Sequence, residues 1–342
     1  MQDRSRVGLE SLGQVRQVFG MNISRLVVVM GCVAALGQAV AQDLRQKRPS
    51  RDWSGFKVTK DIAYAGTDHE RQRLDMALPL NRRNDKPLPV IAYIHGGAWR
   101  AGSKDGGLNR LHGYLKTGQY AGVTIGYRLS QHAKWPAQIH DCKAAIRWIR
   151  ANAKKYNLDA NRIAVHGTSA GGHLVAMLGT SAGVEAMDGL IGPHTDQSTR
   201  VQCVIDYYGP TNFLRMKDFE SRIDHDAADS PESQLIGGAI QENKKRTLTA
   251  DPISYVDKGD APFLIMHGTK DMLVPYNQSV MLHNALKKAG VRSALLTVDG
   301  GGHSGGSGLL PERFRTFIEF HLLGNKGIIA DETIPVAKVR IR

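Results

Sequence analysis

The chain has 342 residues, 42% of them hydrophobic and 23% charged, which is material for one large domain or two small ones with an ample core. Its formal net charge is +13, and four arginines against two acids in the first 41 residues leave +11 for the rest. Lysine and arginine are scattered, with no basic run interleaved with aromatics, so the charge reads as solubility and weak attraction to anionic polymers and not as nucleic-acid binding.

Arg25 precedes a short apolar run, Leu26 to Leu36, and Ala39-Val40-Ala41 follows before Gln42. A positive flank, an apolar run and a small-residue site are the parts of a secretory signal, so residues 1–41 read as a signal segment starting in effect at Met21 and cleaved after Ala41. The run is too short for a good membrane anchor. Val29-Met30-Gly31-Cys32 has the look of a lipoprotein box, but it lies inside the apolar run. The expectation is a secreted or periplasmic protein with no stable membrane insertion after cleavage; an uncleaved, tethering signal is the alternative. Cleavage leaves Cys142, on the apolar stripe of a helix, and Cys203, in a strand, and both read as core thiols. No Cys/His spacing suits zinc, and no metal or cofactor is called for.

Residues 42–56 read as a polar linker. Val58–Ala65 and Arg73–Leu78 read as an antiparallel opening pair. Residues 89–94 are continuously apolar, as in a strand buried on both faces. A helix near 108–118 and a strand from Gly122 to Tyr127 follow. Residues 137–157 form an amphipathic helix, with Lys143, Arg147, Arg150 and Lys154 on the face opposite its apolar stripe. Arg162–His166 is a strand, 173–178 a helix, and 201–208 a strand. Residues 209–258 are polar and loop-rich and break the rhythm; a long excursion of this kind reads as a lid-like insertion. Strand 262–266, helix 277–289, strand 293–298 and helix 311–323 resume it, and 325–342 is left as a tail. Alternating strands and helices predict an α/β fold: a mostly parallel sheet with an antiparallel start and helices on both faces, over 57–324.

Between strand 162–166 and the next helix stands Gly167-Thr168-Ser169-Ala170-Gly171-Gly172. Strand, Gly-x-Ser-x-Gly, helix is the context of a nucleophile elbow, in which a tight turn lifts the serine hydroxyl clear of the sheet. Serine chemistry also needs a base, a carboxylate to orient it and amides aimed at the developing oxyanion. In an open α/β sheet these gather at the carboxyl ends of the strands. His95-Gly96-Gly97-Ala98-Trp99 ends strand 89–94, where the two glycines let a carbonyl oxygen approach backbone N–H groups. Asp271 follows strand 262–266, and His303, set among glycines, follows strand 293–298. Asp206, at the end of strand 201–208, competes with Asp271 as the acid. His95 reads as a structural hydrogen-bonding residue, His166, His173, His267 and His321 as packed or solvated, and Trp99 as a pocket wall.

The order Ser169, Asp271, His303 is that of the α/β-hydrolase fold, which the chain resembles over roughly 57–324. His-Gly-Gly-x-Trp with Gly-x-Ser-Ala-Gly-Gly-His resembles the serine esterase branch that includes hormone-sensitive-lipase-like enzymes, and within it the feruloyl/acetyl-xylan-esterase-like proteins. Ala98 stands where hormone-sensitive-lipase-like members carry the third glycine of His-Gly-Gly-Gly. The resemblance implies catalysis by Ser169, Asp271 and His303, with an oxyanion hole from the N–H groups of Gly97, Ala98 and Ala170. It implies short acyl esters as substrates, small or on polysaccharides. A peptidase of the prolyl-oligopeptidase type carries a β-propeller ahead of this domain, for which too little chain precedes the first strands. A formamidase-like amidase shares the His-Gly-Gly-x-Trp turn, and a non-catalytic binding protein on the same scaffold would usually lack a triad member.

Overall fold

A computed structural model describes residues 51–304 and 311–338. The expected signal segment and most of the linker fall outside the described residues. Nine strands form one sheet in the order β1-β2-β4-β3-β5-β6-β7-β8-β9. β1 (Phe56–Ala63) and β2 (Arg73–Pro79) pair antiparallel, as do β2 and β4 (Ala121–Ile125). β3 (Leu88–Ile94) lies parallel between β4 and β5 (Leu158–Thr168). β6 (Cys203–Tyr207), β7 (Phe263–Gly268), β8 (Ser293–Asp299) and β9 (Glu332–Pro335) extend the parallel part in turn. This is the α/β-hydrolase fold, with the antiparallel start the sequence predicts.

Every residue of β3 is buried, because successive side chains enter opposite faces and both faces are covered. Val90, Ala92 and Ile94 join one apolar cluster with Ile139, Ile146 and Leu174. Ile91 and Tyr93 join the other, with Leu111, Leu115 and Phe314. The first cluster draws on α2 (Ala137–Ala151), α3 (Ala170–Thr180) and α5 (Asn277–Lys288), the second on α1 (Gly107–Leu115) and α6 (Pro311–Ile318). Cys142 and Cys203 are free and buried, one on each side. No helix among the described residues is long and apolar enough to cross a membrane.

Three expectations change. Residues 209–258 are not a loose polar excursion. They hold α4 (Pro231–Ile236) and short helical turns at Phe213–Asp218, Lys244–Leu248 and Pro252–Tyr255. Phe213, Met216, Leu235, Ile236 and Ile240 are fully buried in the main cluster. Helices of four to six residues are too short to show a periodic stripe, which is why the sequence reads as loop. Second, the tail beyond 325 is part of the domain. Residues 332–335 add β9 to the open edge of β8, and Arg313 donates to both oxygens of Glu332 at 2.8 and 3.0 Å. Four residues containing Glu and Pro carry almost no strand signal; pairing with β8 decides them.

The third change concerns α2, whose basic face is covered at Lys143 and Arg147 and half-buried at Arg150. Lys143 is fully buried and donates to the Ser181 carbonyl at 2.5 Å and to Asp188 at 2.6 Å. Arg147, 2% exposed, donates to the carbonyls of Asp188, Gly189 and Ile191 at 3.0, 3.1 and 2.9 Å. Arg150 donates to the carbonyls of Ala160, Ser198 and Arg200. Residues 181–200 have almost no ladder partners of their own, so the cations of α2 satisfy their carbonyls. Arg147→Ala is expected to lower unfolding stability by roughly 1–3 kcal/mol, since three partly buried carbonyls lose a charged donor. Urea denaturation checks this; a loss below about 0.5 kcal/mol would mean that water replaces the guanidinium freely.

Candidate active site

Ser169 sits between β5 and α3 with φ 56° and ψ −123°, a conformation non-glycine residues rarely adopt. Its N–H donates to the Tyr207 carbonyl at 2.9 Å, and its own carbonyl accepts the His173 N–H at 3.0 Å. The turn closes only because two neighbours lack side chains. A Cβ on Gly167 would collide with the Gly171 carbonyl, and one on Gly171 with the carbonyls of Ile94 and His95.

His303 Nε2 lies 3.0 Å from Ser169 Oγ and accepts its proton, while Nδ1–H donates to Asp271 Oδ2 at 2.7 Å. Asp271 has no exposed side-chain surface, whereas His303 keeps 26%, so the run opens outward at the serine end. Asp271 Oδ1 accepts the N–H groups of Leu273 and Val274 at 2.8 and 3.0 Å. Burial pushes this carboxyl up, but hydrogen bonds from His267 and His303 outweigh it and hold Asp271 well below the usual carboxylate range. Asp271 is therefore an anion ready to stabilise an imidazolium.

Asp206, the competing acid, does not reach His303. It is fully buried below the elbow, its Oδ1 accepts the Gly209 N–H at 2.9 Å, and Oδ2 has no partner among the described residues. Burial pushes its carboxyl up to about 7, with the Gly209 N–H pulling weakly the other way.

Gly97, Ala98 and Trp99 all have positive φ, at 115°, 53° and 54°. The Gly97 carbonyl turns inward to accept N–H groups from Arg100 and Ala101, while the N–H groups of Gly97 and Ala98 donate to no backbone carbonyl among the described residues. With Ala170, at the start of α3, they line the cavity beside Ser169. These are free donors beside the nucleophile, with the positive end of α3 behind them. His95 stacks on Tyr127 at 4.3 Å and sits under the turn, its Nδ1 2.7 Å from the Gly96 carbonyl; burial pushes its imidazole down to about 4. Trp99 lines the cavity and is also 2% exposed, its Nε1–H donating to His173 Nδ1 at 3.2 Å. His173 Nε2–H in turn donates to the Ala250 carbonyl at 2.6 Å.

His267 is the residue that sequence reasoning passes over. It is fully buried; its Nε2–H points at Asp271 Oδ2, 3.0 Å away, and at the Val274 carbonyl, 2.9 Å away. Ser279 donates to its Nδ1 at 2.7 Å, which fixes the tautomer. The available signal is its place at the end of β7, four residues before Asp271. Tyr208, with φ 45°, packs its ring 4.6 Å from that of His303. The cavity above the serine is about 620 Å³, within the usual range for small-molecule sites. Tyr93, Tyr208, Leu273 and Val274 wall it on the sheet side, and the insertion adds Ile223, Pro231 and Glu232.

The fold is that of an α/β-hydrolase, and Ser169, His303 and Asp271 form one hydrogen-bonded run at the carboxyl ends of its strands. A BD-FAE family profile matches residues 74–286, and the chain belongs to that family. It is 34% identical to Esterase LipC of Mycobacterium tuberculosis over 209 residues, covering 58% of this chain and 49% of that protein. Among solved structures, a truncated carbohydrate esterase from gut microbiota superimposes with a TM-score of 0.71 at 32% identity, over 80% of this chain and 97% of that one. A bifunctional GH43-CE protein of Bacteroides eggerthii gives a TM-score of 0.71 at 34% identity, over 79% of this chain and 38% of that one. The chain spans about half the length of the curated relatives it matches.

Asp206 allows a test that leaves the triad alone. In the folded chain it keeps its proton up to about pH 7, whereas the unfolded chain releases it near its ordinary value of 3.8. Folding therefore loses stability as pH rises through that window, by up to roughly 2–4 kcal/mol. Asp206→Asn removes the charge, so the melting temperature of the variant relative to the parent should rise between about pH 5 and about pH 8. A constant difference across that range would contradict the burial of an ionisable carboxyl below the elbow.

Proposed function

We propose that this chain is an exported serine ester hydrolase that cleaves short acyl esters, acetyl or feruloyl groups on polysaccharides among them. The observation that carries the reading is the continuous run from Ser169 through His303 to Asp271, opening into a cavity that holds unused backbone donors. As Ser169 Oγ bonds to the ester carbonyl carbon, its proton passes to His303 Nε2. The carbonyl oxygen becomes an oxyanion facing the N–H groups of Gly97, Ala98 and Ala170. Asp271 stabilises the imidazolium. The bond to the alcohol then breaks, and the alcohol leaves with the proton from Nε2. Water, deprotonated by the same nitrogen, attacks the acyl-enzyme and releases the acid.

Two further points support the substrate class. Leu214, Met216, Leu235 and Ile236 of the insertion do not line the cavity, and the last three are fully buried in the core, so the insertion's apolar contribution to the wall is limited to Pro210, Ile223 and Pro231. Asp105, Arg110 and Glu232 do line it. Each methylene of a long acyl chain contributes about 0.8 kcal/mol only against an apolar wall, and the three charged groups interrupt the one that Trp99, Tyr208, Leu273 and Val274 provide. The likeness to a carbohydrate esterase from gut microbiota points the same way. Export rests on the Ala39-Val40-Ala41 site; amino-terminal sequencing of the exported protein should read from Gln42, and a protein that still begins at Met21 would sink it.

A fluorophosphonate probe should label the parent protein and not Ser169→Ala. On p-nitrophenyl acetate, Ser169→Ala and His303→Ala should lower kcat on the order of 10⁴-fold or more, and Asp271→Asn severely, with unchanged folding. Activity should decline on acidification, because a protonated imidazole accepts no proton. Along a p-nitrophenyl ester series, kcat/KM should peak at acetate or near it. A maximum at decanoate would favour a lipase, and peptide or formamide cleavage without ester hydrolysis would favour the amidase or peptidase readings.

A further inference from the structure

The insertion carries a second hydrogen-bonded serine, histidine and acid. Ser221 Oγ lies 3.0 Å from His225 Nε2, and His225 Nδ1 lies 3.1 Å from Glu232 Oε2. His225 and Glu232 are 1% and 3% exposed. This is not a second nucleophile. Ser221 does not line the cavity, and its hydroxyl also lies 3.2 Å from the Met272 carbonyl. That carbonyl accepts the Arg222 N–H at 2.8 Å as well, so the run ties the insertion to the loop that carries Asp271. At the other end it fixes a carboxylate in the wall of the cavity.

Glu232 stands in the first turn of α4, which Ser230 caps by accepting the Ser233 N–H at 3.0 Å. Its Oε2 is held by His225; its Oε1 has no partner among the described residues. Glu232 lines the cavity, and Oε1 is not among the fully buried atoms; a ligand that covered it without a donor would lose free energy, so the site suits one that brings a donor. We propose that Glu232 recognises the alcohol half of the substrate: Oε1 accepts a hydrogen bond from a free hydroxyl of a sugar ring whose ester carbonyl lies at Ser169. The proposal rests on the esterase reading and adds the group that selects the alcohol. An aliphatic alcohol would leave the carboxylate desolvated and unpaired. A cationic alcohol would meet Arg110, which lines the same cavity, sits 5.6 Å over the Tyr93 ring and has no carboxylate partner among the described residues. The third charged lining residue, Asp105, is already engaged by Ser103 at 3.0 Å and Lys104 at 3.2 Å. A neutral polyhydroxylated alcohol fits all three.

The test compares kcat/KM for mono-O-acetylated xylobiose, p-nitrophenyl acetate and acetylcholine in the parent protein, Glu232→Ala and Glu232→Gln. The ratio of acetylxylobiose to p-nitrophenyl acetate should fall at least ~10-fold in Glu232→Ala, through KM, as a charge-assisted hydrogen bond is lost. Glu232→Gln, which keeps the shape and an acceptor, should recover part of that ratio. If Glu232→Ala does not fold, Glu232→Gln decides, with a fall of at least ~3-fold expected. An unchanged ratio, or equal losses on both esters, overturns the proposal, as does a parent protein that prefers acetylcholine to acetylxylobiose. A parent protein inactive on all three esters would instead remove the esterase reading beneath it.

Discussion

The active end of this molecule depends on one steric constraint, the contact of α3 with the ends of β5 and β3. Ser169 is held at positive φ because Gly167 and Gly171 meet without side chains, and Gly171 also lies against the Ile94 and His95 carbonyls. Any Cβ at either glycine would push α3 away from the sheet. That close approach places the serine hydroxyl, the Ala170 N–H and the Gly97–Ala98 turn around one volume of space. The strain is local, and the packing of fully buried Leu174, Val175 and Leu178 against the sheet offsets it.

Around that turn the molecule treats two buried carboxyls in opposite ways. Asp271 is surrounded by donors from His303, His267 and two backbone amides and stays ionised. Asp206, at the end of the strand between, has one donor for Oδ1 and none among the described residues for Oδ2, and burial favours its protonated form. Depth does not separate the two; the number of donors aimed at each does. His267 matters for the same reason. It shares Asp271 with His303 and is itself pinned by Ser279, so the acid cannot swing away from the imidazole.

The segments with least regular structure are held by polar groups of the regular elements. Lys143, Arg147 and Arg150 of α2 close residues 181–200 over the helix by capturing carbonyls. The insertion is fastened twice, by apolar residues such as Phe213 and Ile236 in the core and by the Ser221–His225–Glu232 run against the acid loop. It follows that the insertion's part of the cavity wall is a packed part of the domain and that the buried Glu232 in it has a defined orientation.

The strands and helices of the parallel core were readable from residues alone, because apolar runs such as 89–94 and the periodic stripe of 137–151 are properties of contiguous chain. The nucleophile elbow was readable because glycine on both sides of a serine between strand and helix is a local steric demand. The order Ser169, Asp271, His303 followed from which residues end which strands. The tertiary structure separates Asp271 from Asp206, since both stand at the carboxyl ends of strands and only Asp271 reaches His303. It also shows that Lys143 and Arg147 of α2 are buried, that residues 332–335 pair with β8, that His267 hydrogen-bonds Asp271, and that Arg110 and Glu232 line the cavity. Most of these depend on contacts between residues far apart in sequence, where charge, propensity and spacing carry no information about what will lie opposite.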